Sequence, residues 1–280
     1  MRILVTNDDG VHAPGLAALS VALARFAGDE HELTVVAPLA NHSGASAAVG
    51  TVYERQAISY RRVVIPGAES VPTYGVDAPP ALAVLVGSLG GFGPRPDLVV
   101  SGINLGVNVG RSVLHSGTIG ATLAGAQLGV RGLAVSLRSG FPPEQWATAA
   151  DVAVAIVPFL CAAPQRTVLN LNVPSLPMRE LRGVRRARIS TSGIVKAAAA
   201  VGGPADVGDP EEGEIRLTLG AAVPSLGRVD ETEDPEDDAA LIAAGFASLT
   251  PLVGVHEDTA PGADEVVRAA LGHLHVLLGR

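Results

Sequence analysis

Apolar residues along the chain fall into two rhythms. Short, β-branched runs stand at Ile3–Thr6, Leu33–Ala37, Asp97–Val100, Leu133–Leu137, Val168–Val173 and Ala247–Leu252, and each reads as a buried strand. Between them apolar positions recur at helical spacing. Leu16, Leu19, Leu23 and Phe26 follow Pro14, and Leu82, Leu85, Val86 and Leu89 follow Pro79. Pro14 and Pro79 suit the first turns of these predicted helices. Further helices are predicted from the small-residue run after Thr118, over Pro142–Ala162, and over Ala263–Leu278. Residues Thr51–Val64 alternate and predict a hairpin excursion with Tyr53, Ile58 and Tyr60 as packing residues. Strand–helix alternation up to about residue 175 predicts a mostly parallel, doubly wound α/β sheet.

Polar groups cluster where these strands end, and open α/β sheets bind ligands at the carboxyl ends of their strands. The first strand runs into Asn7-Asp8-Asp9-Gly10. Two adjacent carboxylates repel each other unless a positive charge lies between them. An Asx-turn with Asp8 capping the next helix is one reading; a hard-cation site of oxygen ligands is the other. Ser43, in the loop Asn41–Ser46, hangs off the second strand in the same way, unless its hydroxyl only serves its own backbone. The third core strand continues into Ser101–Gly110, read as a glycine-relieved loop that brings Asn104 and Asn108 towards a ligand. Its glycines match neither the dinucleotide fingerprint nor the P-loop. Ser116-Gly117-Thr118 precedes a predicted helix, where free N–H groups offer either plain capping by Ser116 or a phosphate seat.

Composition narrows the class. The 280 residues are 48% hydrophobic and 17% charged, as suits a globular core. A net charge of −8 disfavours polymeric nucleic acid and anionic membrane as partners, though not a small nucleotide held by a metal. One cysteine, Cys161, forms no internal disulfide framework and suits a reducing compartment. With no secretory leader visible, and the apolar stretch Trp146–Ala163 broken by Asp151 and Pro158, the chain is expected to be cytoplasmic and soluble.

Beyond Pro174 the pattern changes, which suggests a core over residues 1–175 and a second region over 176–280. Arginines at 179, 182, 185, 186 and 188 read as a solvated strand face or a phosphate contact. Residues Ala197–Pro224, rich in glycine, proline and alanine, read as a loop-and-hairpin appendage. The acidic run Asp230–Asp238 reads as a solvated loop or a second cation site. His273 and His275 do not share a helix face, so zinc is not expected there.

The segments NDDGVHAPG at 7–15, SGAS at 43–46, PDLVVSGIN at 96–104, the following GxNxG at 106–110 and HSGT at 115–118 together resemble the SurE family. LNLNVP at 169–174 and SLTPL at 248–252 are similar to later family segments in the same order. The resemblance implies metal-dependent hydrolysis of nucleoside 5′- and 3′-monophosphates. It also implies a three-layer α/β/α sandwich with a Rossmann-like sheet, and a β-rich C-terminal appendage that mediates homodimer or homotetramer formation. By motif match the divalent-metal ligands fall on Asp8, Asp9, Ser43 and Asn104, an oxygen set that favours Mg²⁺ or Mn²⁺. Asp8 also orients or deprotonates the attacking water in this reading, or Asp9 does. Asn108, Ser116 and Thr118 hold the remaining phosphoryl oxygens.

The surrounding residues depart from the family pattern. The family commonly carries Asp and Arg where this chain has Leu39 and Ala40, and Arg in place of His42. It often carries acidic residues at Arg111 and Ser112, Tyr at His115, and Thr-Pro-x-Asp-Cys where Val76–Pro80 stands. These departures bear on substrate preference more than on the metal chemistry. Two alternatives use the same residues: a phosphatase for other small phosphomonoesters or short polyphosphate, and a non-catalytic nucleotide-binding protein.

Overall fold

The computed structural model describes residues 1–50, 52–55, 57–140, 144–191, 234–255, 265–268 and 270–271. Its elements run β1 (Arg2–Thr6), α1 (Pro14–Ala27), β2 (Glu32–Pro38), α2 (Val52–Arg55), β3 (Tyr60–Arg62), β4 (Thr73–Val76), α3 (Pro80–Ser88) and β5 (Leu98–Leu105). A 3₁₀ turn (Gly110–His115) leads to α4 (Gly117–Gln127), β6 (Arg131–Leu137), α5 (Trp146–Ala162) and β7 (Val168–Val173). A second 3₁₀ turn (Met178–Glu180), β8 (Val184–Arg186), α6 (Asp238–Ala243) and β9 (Ala247–Leu252) follow. The strands form one sheet in the order β3-β4-β2-β1-β5-β6-β7-β9-β8. All neighbours from β4 to β7 pair in parallel, whereas β3 pairs antiparallel with β4 and β9 antiparallel with β7.

Alternating side chains of the central strands feed two core layers. Ile3 and Val5 join Leu16, Leu19 and Leu23 of α1 and Val157 and Leu160 of α5 in one cluster. Leu4, Val36 and Val99 join Leu82 and Val84 of α3 in the other. A strand buried on both faces needs apolar residues at every position, which is why β1 and β2 read as unbroken runs. Helices on both faces of the sheet give the three-layer α/β/α sandwich.

Several expectations are corrected. β5 does not end at Val100; it continues to Leu105, with its register to β6 slipping between Ser101 and Asn104. Gly102 permits this: its φ is +138°, and a Cβ there would lie 2.3 Å from the Val135 carbonyl oxygen. The described residues of Thr51–Val64 hold no hairpin of their own. They form the turn α2 and then β3, whose partner β4 lies further on. Tyr60 is 61% exposed, with its ring edge-on to Tyr74 and Phe92; the Tyr53 side chain lies outside the described residues. α5 begins at Trp146; Pro142 lies outside the described residues, as do Ala197–Pro224, His273 and His275. Of the predicted C-terminal helix, residues 265–268 and 270–271 are described, and they are helical.

The basic and acidic stretches beyond Pro174 meet each other. Arg188 pairs with Asp234 at 2.9 Å and Glu236 at 3.2 Å. Arg182 and Arg185 place their guanidinium groups 4.6 and 4.0 Å from the centre of the Phe246 ring. Asp238 departs furthest from the solvated-loop reading, being completely buried. Its Oδ2 accepts the Gly110 N–H at 2.9 Å, and its Oδ1 accepts the N–H groups of Ser190 at 3.1 Å and Ala239 at 2.9 Å. It thereby ties α6 to the start of the turn that precedes Ser116. Asp238→Asn puts an amide NH₂ where an N–H donor points, and is expected to cost about 1–3 kcal/mol. A thermal melt compared with wild type measures the loss.

Candidate active site

From β1 the chain steps outwards to β2 and β4, then returns to place β5 on the other side of β1. The carboxyl ends of β1 and β5 therefore flank a topological switch point, where loops diverge and leave a crevice. Asp8 and Asp9 directly follow β1, and Asn104 stands in the last turn of β5's pairing. Ser43 lies in the loop after β2, which is drawn to the same place: the His42 N–H donates to the Asp8 carbonyl at 2.7 Å. The Leu105 N–H reaches Asp9 Oδ2 at 3.4 Å, a long bond that sets the Asp9 carboxylate beside the end of β5.

Asp8 is only 3% exposed. Its Oδ1 accepts the Thr118 hydroxyl at 2.6 Å, and the N–H groups of Gly117 and Thr118 also favour its charged form. The amino end of α4 thus faces a carboxylate of the protein itself. Close approach makes this possible. A Cβ at Gly117 would lie 2.8 Å from Asp8 Oδ2, and one at Gly120 would lie 2.2 Å from the Ser46 carbonyl oxygen. Burial outweighs these bonds and pushes the Asp8 carboxyl above the ordinary carboxylate range. Asp9 is pushed the same way by its burial, and further by the charge of Asp8. Thr118→Val removes the hydroxyl that orients Asp8. If Asp8 holds the divalent cation proposed below, the substitution is expected to weaken activity or metal affinity 10- to 100-fold, roughly the cost of losing a group that orients a metal ligand, and metal titration of the turnover rate measures it.

The donors suit a hard cation. Asn104 Nδ2 donates to the Gly106 carbonyl at 2.6 Å, which fixes the orientation of its amide. The Ser43 N–H is held by Asn41 Oδ1 at 2.7 Å in an Asx-type turn, so the Ser43 backbone is fixed while its side chain is exposed. Asn7 Oδ1, Thr6 Oγ and Ser101 Oγ, at the ends of the same two strands, are buried without a hydrogen-bond partner. Among the described residues no group of three or more His, Cys, Asp or Glu stands together. The available set is two carboxylates, one hydroxyl and one amide oxygen, as Mg²⁺ or Mn²⁺ prefers.

The other anticipated groups have partners within the protein. Ser116 Oγ accepts the Ile119 N–H at 3.2 Å as an N-cap. Asn108 is buried, and its Nδ2 donates to Ser136 Oγ at 2.8 Å. Its backbone is clamped from β7: Asn172 Oδ1 accepts the Asn108 N–H, and the Asn170 and Asn172 amides both donate to its carbonyl. Positions 170 and 172 share one face of the strand, which explains the repeated asparagine in Leu169–Val173. Asn108 therefore fixes the segment leading to the turn at Gly110.

A cavity of about 490 Å³ opens beside Asp9, lined also by His12, Leu39, Leu105, Glu144 and Trp146. None of His12, Glu144 and Trp146 was anticipated as a site residue. The one usable signal was a lone tryptophan just where a helix after a core strand begins.

The family model for the survival protein SurE matches residues 3–196. A 5′/3′-nucleotidase SurE of Cronobacter sakazakii is 38% identical over 270 residues, covering 95% of both chains. One from Escherichia coli O1:K1 shows the same identity and coverage. The crystal structure of the SurE protein from Aquifex aeolicus superposes with a TM-score of 0.68 at 26% identity, covering 98% of this chain and all of that one. The chain belongs to the SurE family.

Proposed function

We propose that the protein is a divalent-metal-dependent nucleotidase, hydrolysing nucleoside 5′- and 3′-monophosphates to nucleoside and inorganic phosphate. The observation that carries the reading is the Asp8–Asp9 pair at the switch point. Both carboxylates are held above their ordinary range, and neither has a lysine or arginine partner among the described residues. Its relatives named 5′/3′-nucleotidases support the substrate class.

In this reading Asp8, Asp9, Ser43 and Asn104 would hold Mg²⁺ or Mn²⁺. A bound divalent cation supplies neutralisation of phosphoryl charge and a lowered pKa of water. Thr118 and the amino end of α4 orient Asp8 and favour its charged form against the opposing effect of burial. Asp9, with one long N–H contact, is free to orient the attacking water and take its proton. That water would attack phosphorus directly, the ester P–O bond would break, and the leaving alkoxide would take the proton that Asp9 accepted and depart as the nucleoside hydroxyl. Asn108 and Ser116 keep the loop and helix start beside the site in place, and Thr118 acts through Asp8.

Cytoplasmic location and a homodimer or homotetramer built by residues 176–280 are part of the same proposal; no helix among the described residues is long and apolar enough to cross a membrane. The test is phosphate release from nucleoside monophosphates and simple phosphomonoesters with Mg²⁺, Mn²⁺ or EDTA. Metal-dependent turnover that prefers nucleotides is expected. Turnover of other esters alone, or none with any metal from folded protein, overturns it.

A further inference from the structure

Asp9 belongs both to the proposed metal set and to the wall of the 490 Å³ cavity, so whatever fills that cavity is contiguous with the phosphoryl site. Its volume lies in the range of roughly 300–1,000 Å³ typical of small-molecule sites, far more than a phosphoryl group needs. Leu39, Leu105 and the Trp146 indole supply apolar wall. The indole is crowded into place: a Cβ at Gly15 would lie 2.8 Å from its Cζ3 and 2.0 Å from the Ile103 carbonyl oxygen. A ring fixed in this way loses little entropy when another flat ring lies on it.

Among the described residues the polar side chains of the cavity are Asp9, Glu144 and His12, with neither lysine nor arginine. Carboxylates accept hydrogens from hydroxyl and amine groups and repel additional phosphates. The lining therefore suits a neutral, hydroxyl-bearing, aromatic body attached to a single phosphate.

We propose that this cavity is the nucleoside subsite, with the base stacked on Trp146 and the Glu144 carboxylate accepting from the nucleoside's hydroxyl or amine groups. This rests on the nucleotidase reading and specifies its selectivity. Base recognition comes from the Trp146 face, and monophosphates are selected over polyphosphates because the described lining carries two carboxylates and no cationic side chain.

Trp146 is the only tryptophan in the chain, so its fluorescence reports on the cavity alone. In the intact protein with EDTA, AMP is expected to quench it saturably. Ribose 5-phosphate, which carries the same phosphorylated sugar without a base, is not. Equal responses to the two overturn the proposal. In steady-state kinetics with metal, the ratio of kcat/KM for AMP to that for ribose 5-phosphate is expected to fall roughly 5- to 150-fold in Trp146→Ala, the range for a lost base–aromatic stack. Trp146→Phe is expected to recover most of the ratio. Equal losses on both esters would make Trp146 a packing residue only and overturn the subsite. Wild-type protein that hydrolyses no nucleotide overturns the nucleotidase reading, and the subsite with it. A wild-type nucleotidase whose ratio ignores Trp146 overturns the subsite alone.

Discussion

Asp8→Asn is expected to lower phosphate release by at least about 10³-fold, the several kcal/mol of charge stabilisation that a bound cation supplies, while the fold survives. The substitution is nearly isosteric, and the Asn oxygen still accepts the Thr118 hydroxyl that now bonds Asp8 at 2.6 Å. What disappears is the negative charge in a position that is only 3% exposed. In the proposed ligand set Asp9 would then be the one charged donor, with Ser43 and Asn104 contributing only neutral oxygens. Circular dichroism and a thermal melt alongside the assay separate lost chemistry from lost structure. Near-normal turnover by a folded variant would remove Asp8 from the ligand set.

Metal removal is expected to have the second largest effect, on activity and on stability together. In EDTA turnover should fall to background, and Mg²⁺ or Mn²⁺ should restore it. Stability follows from the direction of the carboxyl shifts. Asp8 and Asp9 have folded pKa values raised above the ordinary 3.8. Their contribution to stability is therefore fully present below that value and is lost as pH rises through the folded pKa, because folding must then bury charge that the unfolded chain leaves in water. Metal-free wild-type protein should accordingly lose stability over this window. Asp8→Asn, with no charge to bury, should lose less and melt no lower than wild type at neutral pH. A divalent cation reverses the balance by favouring the ionised pair. At 100 times its Kd it adds about 2.7 kcal/mol to wild-type stability, and Asp8→Asn should gain little. Melting curves of both proteins across pH, with EDTA and with metal, test this; equal gains from metal in both would place the cation elsewhere.

The sequence by itself determined the sandwich, and it singled out the residues proposed here for the chemistry, because strand burial and strand-end polarity are local properties. A strand buried on both faces must be apolar throughout, so β1, β2, β6 and β7 were legible one by one. Polar residues at the carboxyl end of such a strand have nowhere to go but the crevice, so Asp8, Asp9, Ser43 and Asn104 stood out without a structure. The motif resemblance reached the same four residues.

Tertiary structure decided what depends on partners distant in the chain. β5 extends to Leu105 because β6 offers hydrogen bonds beyond the slip at Gly102, and no local pattern records a neighbour's carbonyl. Thr118 serves Asp8, 110 positions away, and the Asn170–Asn172 pair holds the backbone of Asn108. Asp238 lies in an acidic run whose composition signals solvent. It is buried because three backbone N–H groups from Gly110, Ser190 and Ala239 converge on its carboxylate. The cavity at Trp146 likewise exists only because α1, β5 and α5 meet there. Strand burial is written in each segment, whereas hydrogen-bond satisfaction and cavity shape belong to the assembled chain.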